Sequence, residues 1–119
     1  MKNRFKFRIP MFTDKGTFQE FQYIELGEQI ECTLCGYNGE PQQCTGLKDK
    51  NGKLVYEGDI VNIKYIRPDG FEIRKKCKVE FSYYSFWLYY KCGASLLYKE
   101  DCTYEIIGNV YENKELLNE

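Results

Sequence analysis

The sequence predicts a mostly β fold, built around a small barrel or sandwich, on three observations. Several segments alternate apolar and polar residues with a period of two, which is the pattern of a half-buried strand. Turn residues, chiefly glycine, asparagine and proline, separate these segments at roughly ten-residue spacing. Aromatic residues make up 17% of the chain, which favours strands because flat rings pack well on a pleated surface.

The first predicted strand lies at the N-terminus. Residues 4–9 alternate between a basic and an apolar side chain, so Arg8 is expected on the solvent face with the other basic residues. Pro10 lacks an N–H and is expected to limit the far end of this strand to an edge or a bulge. A turn at residues 14–16 then leads into a returning strand at residues 17–24.

Residues 25–46 carry the weakest signals in the chain. They are rich in glycine, asparagine, proline and solvated acids, and they show no periodicity. We therefore expect a connector here, with a short strand at about residues 28–33, and a domain boundary fits this segment better than any other.

The second half of the chain has sharper signals. Asn51-Gly52 is the preferred pair for a type I′ hairpin turn, and Pro68-Asp69-Gly70 predicts another turn. Lys75 interrupts the apolar face of its segment, which predicts a bulge or a strand end. A polar tail follows the last strand. The predicted strands are residues 54–56, 60–66, 71–81, 86–90 and 104–111.

Length and composition limit the class of protein. The 119 residues fit one domain, or one domain with a small appended lobe, and the net charge of −1 gives no global attraction for nucleic acid or anionic membrane. No apolar run approaches the roughly 18–20 residues that span a bilayer, and no export signal is recognisable. We therefore expect a soluble cytoplasmic protein whose six cysteines are reduced thiols.

Histidine is absent from the chain. This removes the commonest general base, the commonest metal ligand and every Ser-His or Cys-His nucleophile pair. The turn at Glu57-Gly58-Asp59 has a structural explanation, because glycine permits a positive φ and the aspartate can accept hydrogen bonds from nearby amides. We therefore expect no catalytic site.

Three segments of the sequence resemble the YopX family of small proteins from bacterial phages and prophages. The most specific is Gly46-Leu-Lys-Asp-Lys-Asn-Gly-Lys-Leu-Val-Tyr-Glu-Gly-Asp-Ile-Val61. Lys6-Phe7-Arg8 near the start and Tyr104-Glu-Ile-Ile-Gly-Asn-Val-Tyr-Glu-Asn113 near the end agree with it in order and spacing. The resemblance covers nearly the whole chain.

The resemblance implies a fold and an origin but no activity. It implies a C-terminal SH3-like β-barrel at residues 45–119 and a smaller β-rich lobe with its connector at residues 1–44, in a protein carried by a phage or prophage and acting in the bacterial host. The chain departs from the family pattern at residues 9–11, at Cys44 and at Lys114.

Cys32 and Cys35 form a C-x-x-C pair that can supply two thiolate ligands to zinc. Cys44 is the nearest third ligand, but no second pair exists. The alternative is that these are reduced thiols in a loop and on strand faces, without a cofactor. A redox role for the pair has less support, because no helix start lowers the thiol pKa.

The densest aromatic stretch cannot be buried by one strand face, because both parities carry rings. It suggests a self-association or partner surface, a platform for stacking bases, or packing against the N-terminal lobe. Its members are Tyr83, Tyr84, Phe86, Trp87, Tyr89 and Tyr90.

A basic stripe precedes the aromatic stretch. Arg74, Lys76 and Lys78 share one parity, and Lys75 lies beside them. Such a stripe can meet phosphates, although flanking glutamates of the same parity favour a solvated strand face that protects against aggregation.

Two functional hypotheses follow from these features. The first is a non-catalytic phage accessory protein that binds a host or phage protein, or copies of itself, through the aromatic stretch. The alternative is a small barrel that binds nucleic acid through the basic stripe and its neighbouring rings.

Overall fold

The computed structural model of the chain describes residues 6–25, 36–91, 93–97 and 102–118. Its strands are β1 Lys6–Thr13, β2 Phe18–Glu25, β3 Gly36–Asn38, β4 Gln42–Lys48, β5 Leu54–Tyr56, β6 Asp59–Ile66, β7 Glu72–Ser82, β8 Ser85–Tyr90, β9 Gly93–Leu96 and β10 Cys102–Asn109. The described residues contain no α-helix, and their one helical element is the 3-10 helix Lys114–Asn118. The fold is therefore mostly β, as predicted.

The strands form two antiparallel sheets. In the first sheet the order is β2-β1-β4-β5, and β3 also pairs with β1. In the second sheet the order is β10-β6-β7-β8-β9. Strands β6 to β9 follow one another as a meander, β10 returns to pair with β6, and the sheet curls into a half-barrel. Among the described residues, no helix is long and apolar enough to cross a membrane.

The hydrophobic core lies on the inner face of the second sheet. It combines residues of β6, β7, β8 and β10 with Val55 from β5, so the first sheet closes part of the same core. The buried members are Val55, Val61, Ile63, Cys77, Val79, Phe86, Leu88, Leu97 and Tyr104.

Strand β1 is buried on both faces, which corrects the expected solvent face. The four consecutive residues from Arg8 to Met11 are all buried. Arg8, which the alternation predicted on the solvent face, therefore lies inside the protein.

Pro10 lies inside β1 rather than at its end. It pairs with Phe21 of β2, and its carbonyl accepts a hydrogen bond from the amide of Gly39. Within a strand, the nitrogen and the carbonyl of one residue point to the same side. The nitrogen of Pro10 therefore points to the side of β1 where β4 pairs as far as Arg8 and β3 pairs from Met11 to Thr13, and Pro10 lies between these two paired segments. The proline therefore removes no ladder bond.

The expected connector is partly a sheet. Strand β3 and most of β4 lie within residues 25–46. Both strands pair with β1, which is distant in the sequence, so no local pattern predicts them. The expected short strand at residues 28–33 lies outside the described residues. The proposed boundary at residue 44 falls inside β4, which pairs with β1 on one side and with β5 on the other.

Three of the hairpins share one loop design. In each, three residues end in a glycine with φ of +84° to +87°, and a backbone hydrogen bond closes the loop. These loops are residues 14–16, 50–52 and 68–70. The hairpin at Asn51-Gly52 is thus confirmed, but its loop is longer than a type I′ turn and Asn51 keeps a negative φ.

Strand β7 runs without interruption through Lys75, so the expected bulge is absent. The register with β6 pairs Ile63 with Lys75 and Val61 with Cys77 with no shift. The Lys75 ammonium lies 4.0 Å from the centre of the Tyr90 ring. This cation–π contact explains how a lysine occupies an otherwise apolar face.

Candidate functional site

The turn between β7 and β8 carries the most exposed rings of the described chain. Tyr83 and Tyr84 are 85% and 98% exposed, and both have a left-handed backbone, with φ of 50° and 64°. They link the paired residues Ser82 and Ser85, so the loop has two residues. A positive φ at both central positions is what a type I′ turn requires. We call this feature the Tyr83–Tyr84 turn.

Side chains behind the turn hold its base in place. The indole N–H of Trp87 donates to the carbonyl of Ser82 at 2.9 Å, and the hydroxyl of Tyr89 lies 3.1 Å from the Ser82 hydroxyl. Phe81 packs edge-on against Phe86, with ring centroids 5.0 Å apart. The two tyrosines therefore project from a rigid hairpin end.

The residue choice at this turn is unusual. Asn-Gly and Asp-Gly are preferred in type I′ turns because they tolerate a positive φ, whereas tyrosine in the left-handed region costs about 1–2 kcal/mol. Among the described residues, no other non-glycine residue has a positive φ. The described residues give Tyr83 and Tyr84 no hydrogen bond or ring contact that would offset this cost.

The other predicted aromatic residues lie in three different places. Phe86 is fully buried in the core, so it lines no surface. Trp87 and Tyr89 are half-buried on the outer face of the second sheet, opposite Glu80 and Lys78. Tyr90 is half-buried and contacts Lys75. Of the six predicted aromatic residues, only Tyr83 and Tyr84 are largely exposed.

The structure separates the predicted basic stripe by face. Arg74, Lys76 and Lys78 lie on the outer face, since the alternating residues Cys77 and Val79 are buried inside. Lys75 points to the inner face, where Tyr90 covers it.

Glutamates partner two of the outer cations. Arg74 Nε lies 2.8 Å from Glu72 Oε2, and Lys78 Nζ lies 3.7 Å from Glu80 Oε2. Both pairs are solvent-accessible, so each is worth little to stability.

The predicted zinc ligands are only partly described. Cys32 and Cys35 lie outside the described residues. Cys44 is fully buried in β4, burial raises the pKa of its thiol, and its sulfur accepts a hydrogen bond from the Gly46 amide at 3.4 Å. The described residues bring together no group of three metal-ligating side chains, so zinc binding stays a prediction.

A buried ion pair joins the two sheets, and the sequence pattern did not indicate it. Arg8 Nη1 lies 2.6 Å from Asp59 Oδ1, and the two side chains are 5% and 3% exposed. Arg8 also donates from Nε to Gln42 Oε1 at 2.7 Å and from Nη2 to the Glu57 carbonyl at 3.1 Å. Its guanidinium lies 4.0 Å from the centre of the Phe21 ring. We call this arrangement the Arg8–Asp59 interlock.

Both partners of the interlock are fully hydrogen-bonded. Asp59 Oδ2 accepts the Tyr56 amide at 2.8 Å, and no buried polar side-chain atom of the described residues lacks a partner. Burial raises the pKa of Asp59 although the guanidinium of Arg8 lowers it. The carboxylate is enclosed, and both of its oxygens are held by Arg8 and the Tyr56 amide. The one sequence signal for this contact was that both residues lie in segments carrying the family resemblance.

Gly58 completes the interlock. Its φ is +87°, and a Cβ at this position would lie 2.2 Å from Gln42 Nε2. Its amide donates to Val79 and its carbonyl accepts from Val110, at 2.7 and 2.9 Å. The structural interpretation of the Glu57-Gly58-Asp59 turn is therefore confirmed.

Comparison with known proteins agrees with the sequence resemblance. The family model described as YopX protein matches residues 14–118. No curated protein matches the chain. The match spans nearly the whole chain and includes the central motif with Gly58 and Asp59. On this match, the chain belongs to the YopX family.

Proposed function

We propose that this chain is a non-catalytic phage or prophage accessory protein that binds another protein through the Tyr83–Tyr84 turn. One observation carries the proposal. Two tyrosines occupy left-handed backbone positions at the end of a hairpin, with rings 85% and 98% exposed. Strain of this kind is retained at functional sites when a binding partner uses it.

Tyrosine suits a protein partner better than other ligand classes. Its ring supplies a large contact area while few rotatable bonds are fixed on binding, and tyrosines are enriched at interface hot spots. The partner is a host or phage protein, or a second copy of this chain.

The composition supports a non-catalytic role. The chain has no histidine, and the most buried aspartate of the described residues, Asp59, is held by Arg8 and the Tyr56 amide. Histidine is therefore not available as a general base, and the Asp59 carboxylate is already held in an ion pair.

We also propose that residues 45–119 form an SH3-like barrel that displays this turn. The β4–β5 loop supports this, because the Lys50 amide donates to the Tyr104 carbonyl at 2.8 Å and Asp49 Oδ2 accepts the Ile106 amide at 3.1 Å. These bonds bring the loop against β10, the edge strand of the curled sheet. Leu97 supports the other side, since its amide donates to the Phe86 carbonyl and its carbonyl accepts the Tyr104 hydroxyl.

The test replaces the turn without removing the hairpin. Tyr83→Asn with Tyr84→Gly installs the preferred type I′ pair, so the fold is kept and both rings are lost. We expect wild-type protein to self-associate in light scattering or to retain a partner in pull-downs from the bacterial host. The double variant should weaken that binding at least tenfold, because hot-spot truncations cost about 2 kcal/mol or more.

Phe71→Ser is the matched control. Phe71 is 63% exposed and directly precedes β7, at the opposite end of this strand from the Tyr83–Tyr84 turn. The substitution therefore removes an exposed ring from a different hairpin. Binding should be unchanged in this variant. The proposal fails if the wild-type protein is strictly monomeric and retains no partner, or if the turn variant binds as well as Phe71→Ser.

A further inference from the structure

The outer face of the second sheet gathers basic residues from β6 and β7. The register places Lys64 of β6 directly opposite Arg74 of β7, and Asn62 opposite Lys76. The same face continues on β10, where Thr103 lies opposite Lys64. These positions face away from the core. We call this surface the basic face.

The basic face contains a cleft of ligand size. Its volume is about 430 Å³, within the range of about 300–1,000 Å³ that small-molecule sites occupy. Basic residues dominate its lining, and Asn62 and Thr103 add hydrogen-bonding groups. The cations that line it are Lys50, Lys64, Arg74 and Lys76, and it is also bordered by Lys75, whose side chain turns to the inner face.

Carboxylates pair with three of these cations. Glu72 bridges Lys64 at 3.1 Å and Arg74 at 2.8 Å, and Glu105 lies 3.1 Å from Lys50. These pairs are all at least 37% exposed, and exposed pairs contribute about 0–1 kcal/mol. An incoming phosphate can therefore displace a carboxylate at small cost. Lys64 and Arg74 lie directly opposite each other, and Glu72 offsets the repulsion between their like charges.

Aromatic residues lie on the same face, beside the cations. Tyr89 of β8 is directly opposite Lys78, and Trp87 is opposite Glu80. Both rings are half-buried, so each keeps some accessible surface. A basic surface next to aromatic rings is the arrangement by which small β domains bind single strands without reading sequence.

We propose that the basic face binds single-stranded nucleic acid, with backbone phosphates in the cleft and a base against Tyr89 and Trp87. The cleft does not include Tyr83 or Tyr84, although Trp87 and Tyr89 also support the base of the Tyr83–Tyr84 turn. Nucleic-acid binding and protein binding are measured separately, so either proposal can fail without the other. The shared register of cations and rings on one sheet face carries the inference.

The test uses a fluorescently labelled oligothymidine of about 16 nucleotides, a length within the site sizes of such domains. Anisotropy is measured from about 20 to 200 mM NaCl, and four phosphate contacts predict a slope of log K against log salt near −3. Arg74→Gln with Lys76→Gln should weaken binding about tenfold and make the slope shallower by about 1.4.

Lys15→Gln with Lys48→Gln is the matched control, because both lysines are exposed outside this face and the charge change is the same. Its affinity should remain within about twofold of wild type. Equal loss in both variants would overturn the site, since net charge alone would then explain binding. Absence of binding at low salt would overturn it as well.

The base contact has a separate readout. The chain has a single tryptophan, Trp87, so stacking should quench its fluorescence with oligothymidine but not with an abasic strand of the same length. Equal binding of duplex DNA or of a poly-glutamate peptide would overturn the assignment to single strands. Binding of oligothymidine without quenching of Trp87 fluorescence would contradict the proposed stacking of a base on these rings.

Discussion

The Arg8–Asp59 interlock and the Tyr83–Tyr84 turn both reverse the usual placement of residues. The interlock puts a charged pair inside the protein, with side chains no more than 5% exposed. The turn puts two aromatic rings outside, at 85% and 98% exposure. Charged residues are seldom fully buried, and large exposed apolar surfaces often mark interaction sites.

The two regions differ in whether the folded chain explains them. Every polar atom of the interlock has a partner in the protein, contributed by both sheets. The described residues give the turn tyrosines no partner, and their backbone is strained. An unusual residue whose partners all lie within the protein therefore indicates a structural role. An unusual residue without them points to a contact outside the molecule.

Breaking the interlock should produce the largest effect. Arg8→Met keeps an unbranched apolar stem but leaves Asp59 as an uncompensated buried charge. We expect a loss of about 3–5 kcal/mol in the free energy of unfolding, the usual cost of removing one partner of a buried pair. Urea denaturation followed by Trp87 fluorescence measures it.

Lys6→Met is the control for this prediction. Lys6 lies on the same strand and pairs with Glu25 at 4.0 Å, but both side chains are exposed. Its loss should change stability by less than about 1 kcal/mol. If the two variants were equally stable, the interlock would not be what joins the sheets.

Gly58→Ala should produce the next largest effect. A methyl group would force a left-handed alanine and displace the Gln42 amide that holds Arg8. We expect a loss of about 2–3 kcal/mol. Gly70→Ala is the matched control, because Gly70 has the same φ of +87° but nothing within 4 Å of an added Cβ. It should lose only about 1–2 kcal/mol, so an equal loss in both variants would remove the steric argument.

Local patterns predicted the second sheet better than the first. Alternation identified β6, β7 and β8 to within about two residues, because these strands form a meander with one buried face. The strands predicted at residues 4–9 and 17–24 overlap β1 and β2, but the alternation in β1 predicted the wrong environment because this strand is covered on both faces. Strands β3 and β4 pair with β1, which is distant in the sequence, and no local period predicts them.

The candidate sites show the same limit. The sequence identified the aromatic and basic residues, but parity alone could not decide that Phe86 is core or that Lys75 faces inward. Arg8 was assigned to the solvent face because a basic residue in an alternating segment usually lies there. Its true position depends on Asp59, which lies 51 residues further along the chain.

Replacing the turn tyrosines should produce the smallest effect on stability, and in the opposite direction. Tyr83→Asn with Tyr84→Gly relieves two left-handed tyrosines and removes no described contact. We expect the free energy of unfolding to rise by about 1 kcal/mol, measured by urea denaturation. The reverse exchange, Gly52→Tyr, places a tyrosine at φ of +84° in open space and should lower it by about 1–2 kcal/mol. A marked loss in the turn variant would mean that the rings stabilise the fold, and the contrast with the interlock would disappear.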